Sequence, residues 1–232
     1  NLHREGLGGL LADEMGLGKT VQSLGLVAGI AACPESNRPS LVICPASLVE
    51  NWMREASEFI PGIRRHSYFG AARDLDFSRL GADDLIVTSY GTLRADRALF
   101  LKSEFSTILA DEAQVFKNPS TETSRVMRKL RAGSRFALTG TPIENSIPDL
   151  WGIGQFALPG VFGKELPPDP EVNITLAKVR PYLLRRTKAA VLRDLPEKWE
   201  SRRFVRLSEI QSKLYQKIQH TTEQHLFALR SR

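Results

Sequence analysis

The stretch Leu10–Thr20 reads "LLADEMGLGKT". It joins a short apolar run, "GGLLA" at 8–12, to a helical pattern that begins at Val21. Between them lie Gly16, Leu17, Gly18, Lys19 and Thr20, in the strand, glycine turn, helix order that a phosphate-binding loop requires. Glycines let backbone amides curl around phosphate oxygens, and the helix N-terminus adds the positive end of its dipole. Lys19 would neutralise β- and γ-phosphate charge, and Thr20 would set its hydroxyl on Mg²⁺. The general loop pattern opens on a glycine, whereas this chain has Asp13 there, with Glu14 beside it. Two carboxylates next to a triphosphate site demand an explanation.

Outward from this stretch, apolar runs of about five residues recur at 40–44 ("SLVIC"), 84–88 ("DLIVT"), 106–110 ("STILA") and 134–138 ("SRFAL"). Nearly continuous apolar runs mark strands covered on both faces, and helical patterns between them mark βα units: an α/β fold with a parallel sheet. A helix is expected at 46–59, where Leu48, Trp52, Ala56 and Phe59 recur at core spacing, and another at 120–131, with Ser120 as its N-cap. From Pro159 the texture turns rich in proline and glycine, which breaks regular structure. Beyond it a helix is expected at 171–184, a strand at 200–207 ("ESRRFVRL") and a helix at 208–230. The expected organisation is a main lobe at 1–160, a helical subdomain with a return strand at 161–207, and at 208–232 the start of a connection. The last helix meets no capping glycine or proline, so the chain is expected to stop inside a longer protein.

The 232 residues carry a net charge of +6, distributed unevenly: 18 Lys/Arg against 21 Asp/Glu in 1–174, but 14 against 5 in 175–232. A basic segment after a near-neutral one suits a polyanion, and a solvated basic surface without a partner fits the charge equally well. Cys33 and Cys44 form no disulfide framework, the four histidines have no ligand spacing, and no apolar run is long enough for a membrane span. No partner membrane is expected, and the protein is expected in the cytoplasm.

A magnesium-nucleotide site also needs a carboxylate at the end of a neighbouring strand, and "STILADEAQ" (106–114) supplies Asp111 and Glu112. Asp111 fits the Mg²⁺ partner, and Glu112 fits a general base for the attacking water. Two further strands end in hydroxyl-rich turns, "TSYGT" at 88–92 and "LTGTP" at 138–142. In an open parallel sheet ligands gather at the carboxyl ends of the strands, so these turns describe one functional edge.

In their order and wording, "DEMGLGKT", "LVICPASLVENWMREA", "TSYGTL", "DEAQVFKN", "LTGTPIEN" and "LLRRTK" resemble the Swi/Snf-type ATPases, helicase-like DNA translocases of superfamily two. The resemblance covers nearly the whole chain. It implies a RecA-like three-layer fold with a mostly parallel central sheet, plus a small helical C-terminal extension. It implies ATP and Mg²⁺ as ligands of Asp13, Gly16, Leu17, Gly18, Lys19, Thr20, Val21 and Asp111, with Lys19, Asp111 and Glu112 catalytic. It further implies that Gln114, Thr139, Gly140 and Thr141 couple nucleotide state to DNA, and that Pro45, Ala46, Ser47, Thr88, Ser89 and Tyr90 contact the backbone of duplex DNA. A second ATPase lobe, which in the family carries the completing arginines, would be the other partner.

Gln114 stands where many relatives have histidine, a variant resembling bacterial members and pointing to the nucleoid, or to the nucleus in a eukaryotic source. The segment before "RPYLLRRTK" is shorter than usual, and the glutamine motif that reads adenine is missing. A strand-separating helicase of the same superfamily, acting on RNA or DNA, and a non-hydrolysing nucleotide-binding interaction module are the alternative readings. "LLRRTK" with "LPEK" weighs against the first, and the intact Lys19, Asp111 and Glu112 weigh against the second.

Overall fold

In the computed structural model the apolar runs become strands β1 (Gly9–Leu11), β2 (Ser40–Cys44), β4 (Asp84–Ser89), β5 (Glu104–Ala110) and β6 (Arg131–Leu138). Two more, β3 (Arg64–Tyr68) and β7 (Leu183–Leu184), complete a seven-stranded sheet of order β3-β4-β2-β5-β6-β1-β7. Every pairing in it is parallel. The structure describes residues 2–33, 36–71, 73–140, 147–163, 177–191 and 201–230. Contacts divide the chain into two units, Asn1–Arg193 and Asp194–Arg232. Among the described residues no helix is long and apolar enough to cross a membrane.

Side chains alternate across a strand, so each central strand feeds two cores. Leu41, Ile43, Ile86, Ile108 and Ala110 face one, together with Leu93, Phe100, Met127 and Phe156. These last four come from helices α3 (Tyr90–Ala95), α4 (Arg97–Lys102), α5 (Glu122–Lys129) and α6 (Ile147–Ala157). Val42, Cys44, Leu85, Val87 and Leu109 face the other, against Leu24 and Val27 of α1 (Lys19–Ala31) and Trp52 and Ala56 of α2 (Val49–Phe59). Helices on both sides of a fully covered parallel sheet are the three layers of the RecA-like α/β fold. Each buried Leu, Ile or Phe contributes about 1.5–3 kcal/mol of transfer free energy to this arrangement.

Several expectations are corrected. The helix at 46–59 begins as a 3-10 turn, Ala46–Leu48, before α2. Phe59 is 48% exposed, and Ile60 is buried in its place. At α5 the N-cap is Thr121, whose hydroxyl accepts from the Ser124 N–H, while the Ser120 hydroxyl turns back to Asn118. The expected helix at 171–184 lies outside the described residues up to 176. Pro181, which cannot donate to a helical ladder, sits in a closing 3-10 turn, Arg180–Tyr182, and Leu183–Leu184 are strand.

Residues 201–207 form no strand, and Glu200 lies outside the described residues. Their alternation of arginine and apolar residues finds no pairing edge, so Phe204 stands 96% and Val205 87% exposed. The terminal helix, Glu209–Arg230, is as expected.

Candidate active site

The phosphate loop is built by conformation as well as by composition. Gly16 (φ +90°) and Gly18 (φ +74°) hold left-handed backbone, which costs a residue with a Cβ about 1–2 kcal/mol. Gly18 is the N-cap of α1 and offers no side-chain cap, so the first-turn amides have no partner within the helix. Lys19 and Thr20 are the first two residues of that helix, both half-buried, and Val21, next, is 39% exposed. The Lys19 ammonium rests on the carbonyl oxygen of Asp13 at 2.9 Å. Leu17 donates its N–H to the Glu14 carbonyl and accepts from the Gln22 side chain, which fixes the loop's curl. Uncapped amides, an ammonium and a hydroxyl converging at one helix N-terminus fit a phosphate chain carrying Mg²⁺.

The two carboxylates have structural employment. Asp13 is fully buried and holds Arg186, which stands 173 residues away in sequence. Arg186 donates its Nε to both carboxylate oxygens at 3.1 Å, its Nη2 to Oδ2 at 2.5 Å, and its backbone N–H to Oδ1 at 2.9 Å. Gln22 joins from α1, donating to Asp13 and accepting from Arg186. Burial pushes the Asp13 carboxyl up, but the hydrogen bonds from Arg186 and Gln22 outweigh it and hold the group below the usual carboxylate range. Glu14 accepts the backbone N–H of Lys188 at 2.7 Å. Leu184 and Arg186 offer their carbonyls to the N–H groups of Ala12 and Glu14, so the β1–β7 pairing continues past the strands. The acidic pair beside the loop is thus a dock for the "LLRRTK" segment, and Asp13 faces Arg186 with its carboxylate.

Asp111 follows β5 and is clamped from both faces of the sheet. The Trp52 indole N–H, on α2, donates to Asp111 Oδ2 at 2.9 Å, and the Tyr90 hydroxyl, on α3, donates to its carbonyl at 2.6 Å. Burial pushes the Asp111 carboxyl up and the Trp52 hydrogen bond opposes it. The neighbouring Glu112 charge raises it further, and Lys19 stands near enough to pull it back. Lys19, at the start of α1, and Asp111, just after β5, therefore act on one another electrostatically. Glu112 takes left-handed backbone (φ +51°), alone among the described non-glycine residues. Such strain costs about 1–3 kcal/mol and concentrates where geometry is functional.

The Glu112 carboxylate accepts from the Gln114 amide at 2.6 Å, and Gln114 accepts from the Thr139 hydroxyl at 3.0 Å. Thr139, at the end of β6, also donates its backbone N–H to Leu11. A continuous chain of bonds therefore links Glu112 to the β6 turn and to the root of the phosphate loop. Gly140 is half-buried in that turn, and Thr141 lies outside the described residues.

The remaining residues divide. Pro45 is half-buried, and Ala46 and Ser47 are exposed, after β2. Thr88, Ser89 and Tyr90 are buried, with their side chains used inside the fold: Thr88 on the Tyr68 carbonyl, Ser89 capping α3 at Thr92, and Tyr90 on Asp111. Sequence reasoning missed Trp52 and Arg186 as site residues. Trp52 has the spacing of any core aromatic, whereas the Arg186 side of the dock was visible as "LLRRTK" without its partner.

The SNF2-related domain family matches residues 1–232 of the chain. The chain is 33% identical to the chromatin-remodeling ATPase INO80 of Candida albicans, over 94% of its own length and 18% of that protein. It is 35% identical to the putative ATP-dependent helicase/translocase YwqA of Bacillus subtilis, over 98% of its length and 27% of that protein. It thus spans about a quarter or less of these two relatives. The SWI2/SNF2 ATPase core of Sulfolobus solfataricus, solved in complex with double-stranded DNA, matches with a TM-score of 0.73 and 36% identity, covering 84% of this chain and 43% of that one.

Proposed function

Because the chain belongs to the SNF2-related domain family, we propose that it is the ATP-binding first lobe of a DNA-dependent ATPase that translocates on duplex DNA and remodels protein–DNA complexes. The observation that carries the reading is the hydrogen-bond chain from Glu112 through Gln114 and Thr139 to Leu11, at the root of the glycine turn, with Lys19 of that turn near enough to act on the charge of Asp111. Gly16, Gly18 and the first-turn amides of α1 bind the phosphates. Lys19 leaves the Asp13 carbonyl to meet the terminal phosphates. Thr20 and Asp111 would hold Mg²⁺, which when bound would neutralise the charge that develops on the phosphates. Glu112 takes the proton of the attacking water, and its left-handed backbone fixes the direction of its carboxylate.

Gln114 carries the state of Glu112 to Thr139 and Gly140. This bond chain supports a coupling role for the β6 turn, with Thr141 as a further member. Pro45, Ala46 and Ser47, at an accessible turn on the same sheet edge, contact the DNA backbone. The burial of Thr88, Ser89 and Tyr90 gives them a part in shaping that edge. A second lobe supplies the arginines that complete hydrolysis; among nucleotide hydrolases such an arginine is worth about 10³–10⁵ in turnover.

The test is the ATPase rate of the full-length protein with duplex DNA, single-stranded DNA and RNA. Stimulation by duplex DNA above both single strands and RNA is expected. Stimulation by RNA alone, or none by any nucleic acid, refutes the reading.

A further inference from the structure

Lys188 has no place in the phosphate-loop pattern, yet its side chain lies against the loop. A Cβ built on Gly16 would stand 3.3 Å from Lys188 Cε and 3.5 Å from Nζ. The approach is imposed by the backbone, in three successive bonds. Glu14 N–H donates to the Arg186 carbonyl, Arg186 N–H donates to the Asp13 carboxylate, and Lys188 N–H donates to the Glu14 carboxylate. The Arg186 guanidinium locks the middle of this run onto buried Asp13. Lys188 then opens the short helix Lys188–Val191 with its ammonium beside the Gly16 turn.

Glu14 is taken up by the Lys188 backbone, and no ion pair of the Lys188 ammonium occurs among the described residues. An ammonium held at a loop of uncapped amides, with the nearby Glu14 carboxylate bonded to the Lys188 backbone N–H, is complementary to an anion the loop binds. We propose that Lys188 is a second phosphate-binding cation of the nucleotide site, brought there from the segment after β7, the neighbour of β1 in the sheet, by the Asp13–Arg186 dock. The inference rests on reading Gly16–Thr20 as the phosphate site and adds a residue to it. It also gives the acidic letters of "LLADEMGLGKT" a purpose: they carry a positive group to the phosphates instead of a negative one.

The test is equilibrium binding of a fluorescent ATP analogue to the full-length protein, comparing wild type with Lys188→Ala, Lys188→Arg and Lys19→Ala. Alanine keeps the backbone N–H that Glu14 accepts, so Lys188→Ala removes the ammonium and leaves the dock. Affinity is expected to fall about tenfold in Lys188→Ala, about 1.4 kcal/mol. It should recover to within about threefold of wild type in Lys188→Arg, because a guanidinium also pairs with phosphate. Wild-type affinity in Lys188→Ala alongside weak binding in Lys19→Ala overturns the inference and leaves the phosphate-loop reading standing. Equal weakening in Lys188→Ala and Lys188→Arg also overturns it, since the loss then follows shape and not charge. Undiminished binding in Lys19→Ala strikes the underlying reading instead.

Discussion

Replacing Arg186 with alanine strips a fully buried carboxylate of its Nε and Nη2 donors and takes a partner from Gln22. Asp13 keeps the backbone N–H of residue 186 and the Gln22 amide. A hydrogen bond to a charged group is worth about 1.5–3 kcal/mol net, and breaking a buried ion pair from one side costs about 3–5 kcal/mol. The Arg186 side chain is 41% exposed, so water reaches the vacated space and lowers the penalty. The expected destabilisation is therefore about 2–3 kcal/mol, which in a lobe of this size lowers Tm by about 4–12 °C. Thermal and urea denaturation of wild type, Arg186→Ala, Asp13→Asn and the double variant measure both the loss and the coupling. A coupling of at least about 1 kcal/mol is expected, because the two changes remove the same contact. An Arg186→Ala variant melting within about 2 °C of wild type, or additive single changes, refutes the claim that Asp13 is the anchor of the 184–188 segment.

Trp52→Phe keeps most of the buried volume but leaves Asp111 Oδ2 without its indole donor; the Mg²⁺ concentration for half-maximal turnover should rise several-fold, and an unchanged Mg²⁺ dependence contradicts the clamp. Gln114→Ala cuts the bond chain between Glu112 and Thr139, so DNA stimulation of ATP hydrolysis should fall about tenfold or more with nucleotide affinity within about twofold, and retained stimulation removes the coupling role. Asp84 is buried, and although burial pushes its carboxyl up, Arg64, the Gly81 N–H and His66 hold it well below the usual range. Its contribution to stability is full above the ordinary carboxylate pKa of about 4 and is lost as pH falls through the lower folded value. Wild type should accordingly lose stability below about pH 4 faster than Asp84→Asn, and parallel pH profiles for the two contradict this. The 232-residue chain by itself should bind ATP weakly and hydrolyse it feebly, and brisk DNA-stimulated turnover by it shows that no second lobe is needed.

The sheet and the two chemical turns were legible because they obey local rules. Continuous apolar runs name the central strands; Asp111–Glu112 follows β5 directly, and Gly18–Lys19–Thr20 closes the loop that leaves β1. β3 escaped because "RRHSY" is an edge strand with no apolar run: it pairs on one side only, and its Arg64 and His66 face the carboxylate of Asp84. β7 escaped because two leucines before "RRTK" read as the end of a helix until Leu10 and Leu11 are beside them. Trp52 and Tyr90 carry no sequence mark that separates packing against a core from donating into a site. Asp13 and Glu14 looked like defects of the loop because their partners, Arg186 and Lys188, come near only through the fold.

The proposed division of labour gives phosphate binding to Lys19 and activation of the water to Glu112. Measuring ATP affinity and turnover together in full-length wild type, Lys19→Ala and Glu112→Gln tests that division most directly. Both variants should lose turnover, while only Lys19→Ala loses ATP affinity strongly. Equal loss of affinity in the two, or turnover surviving in Glu112→Gln, contradicts it.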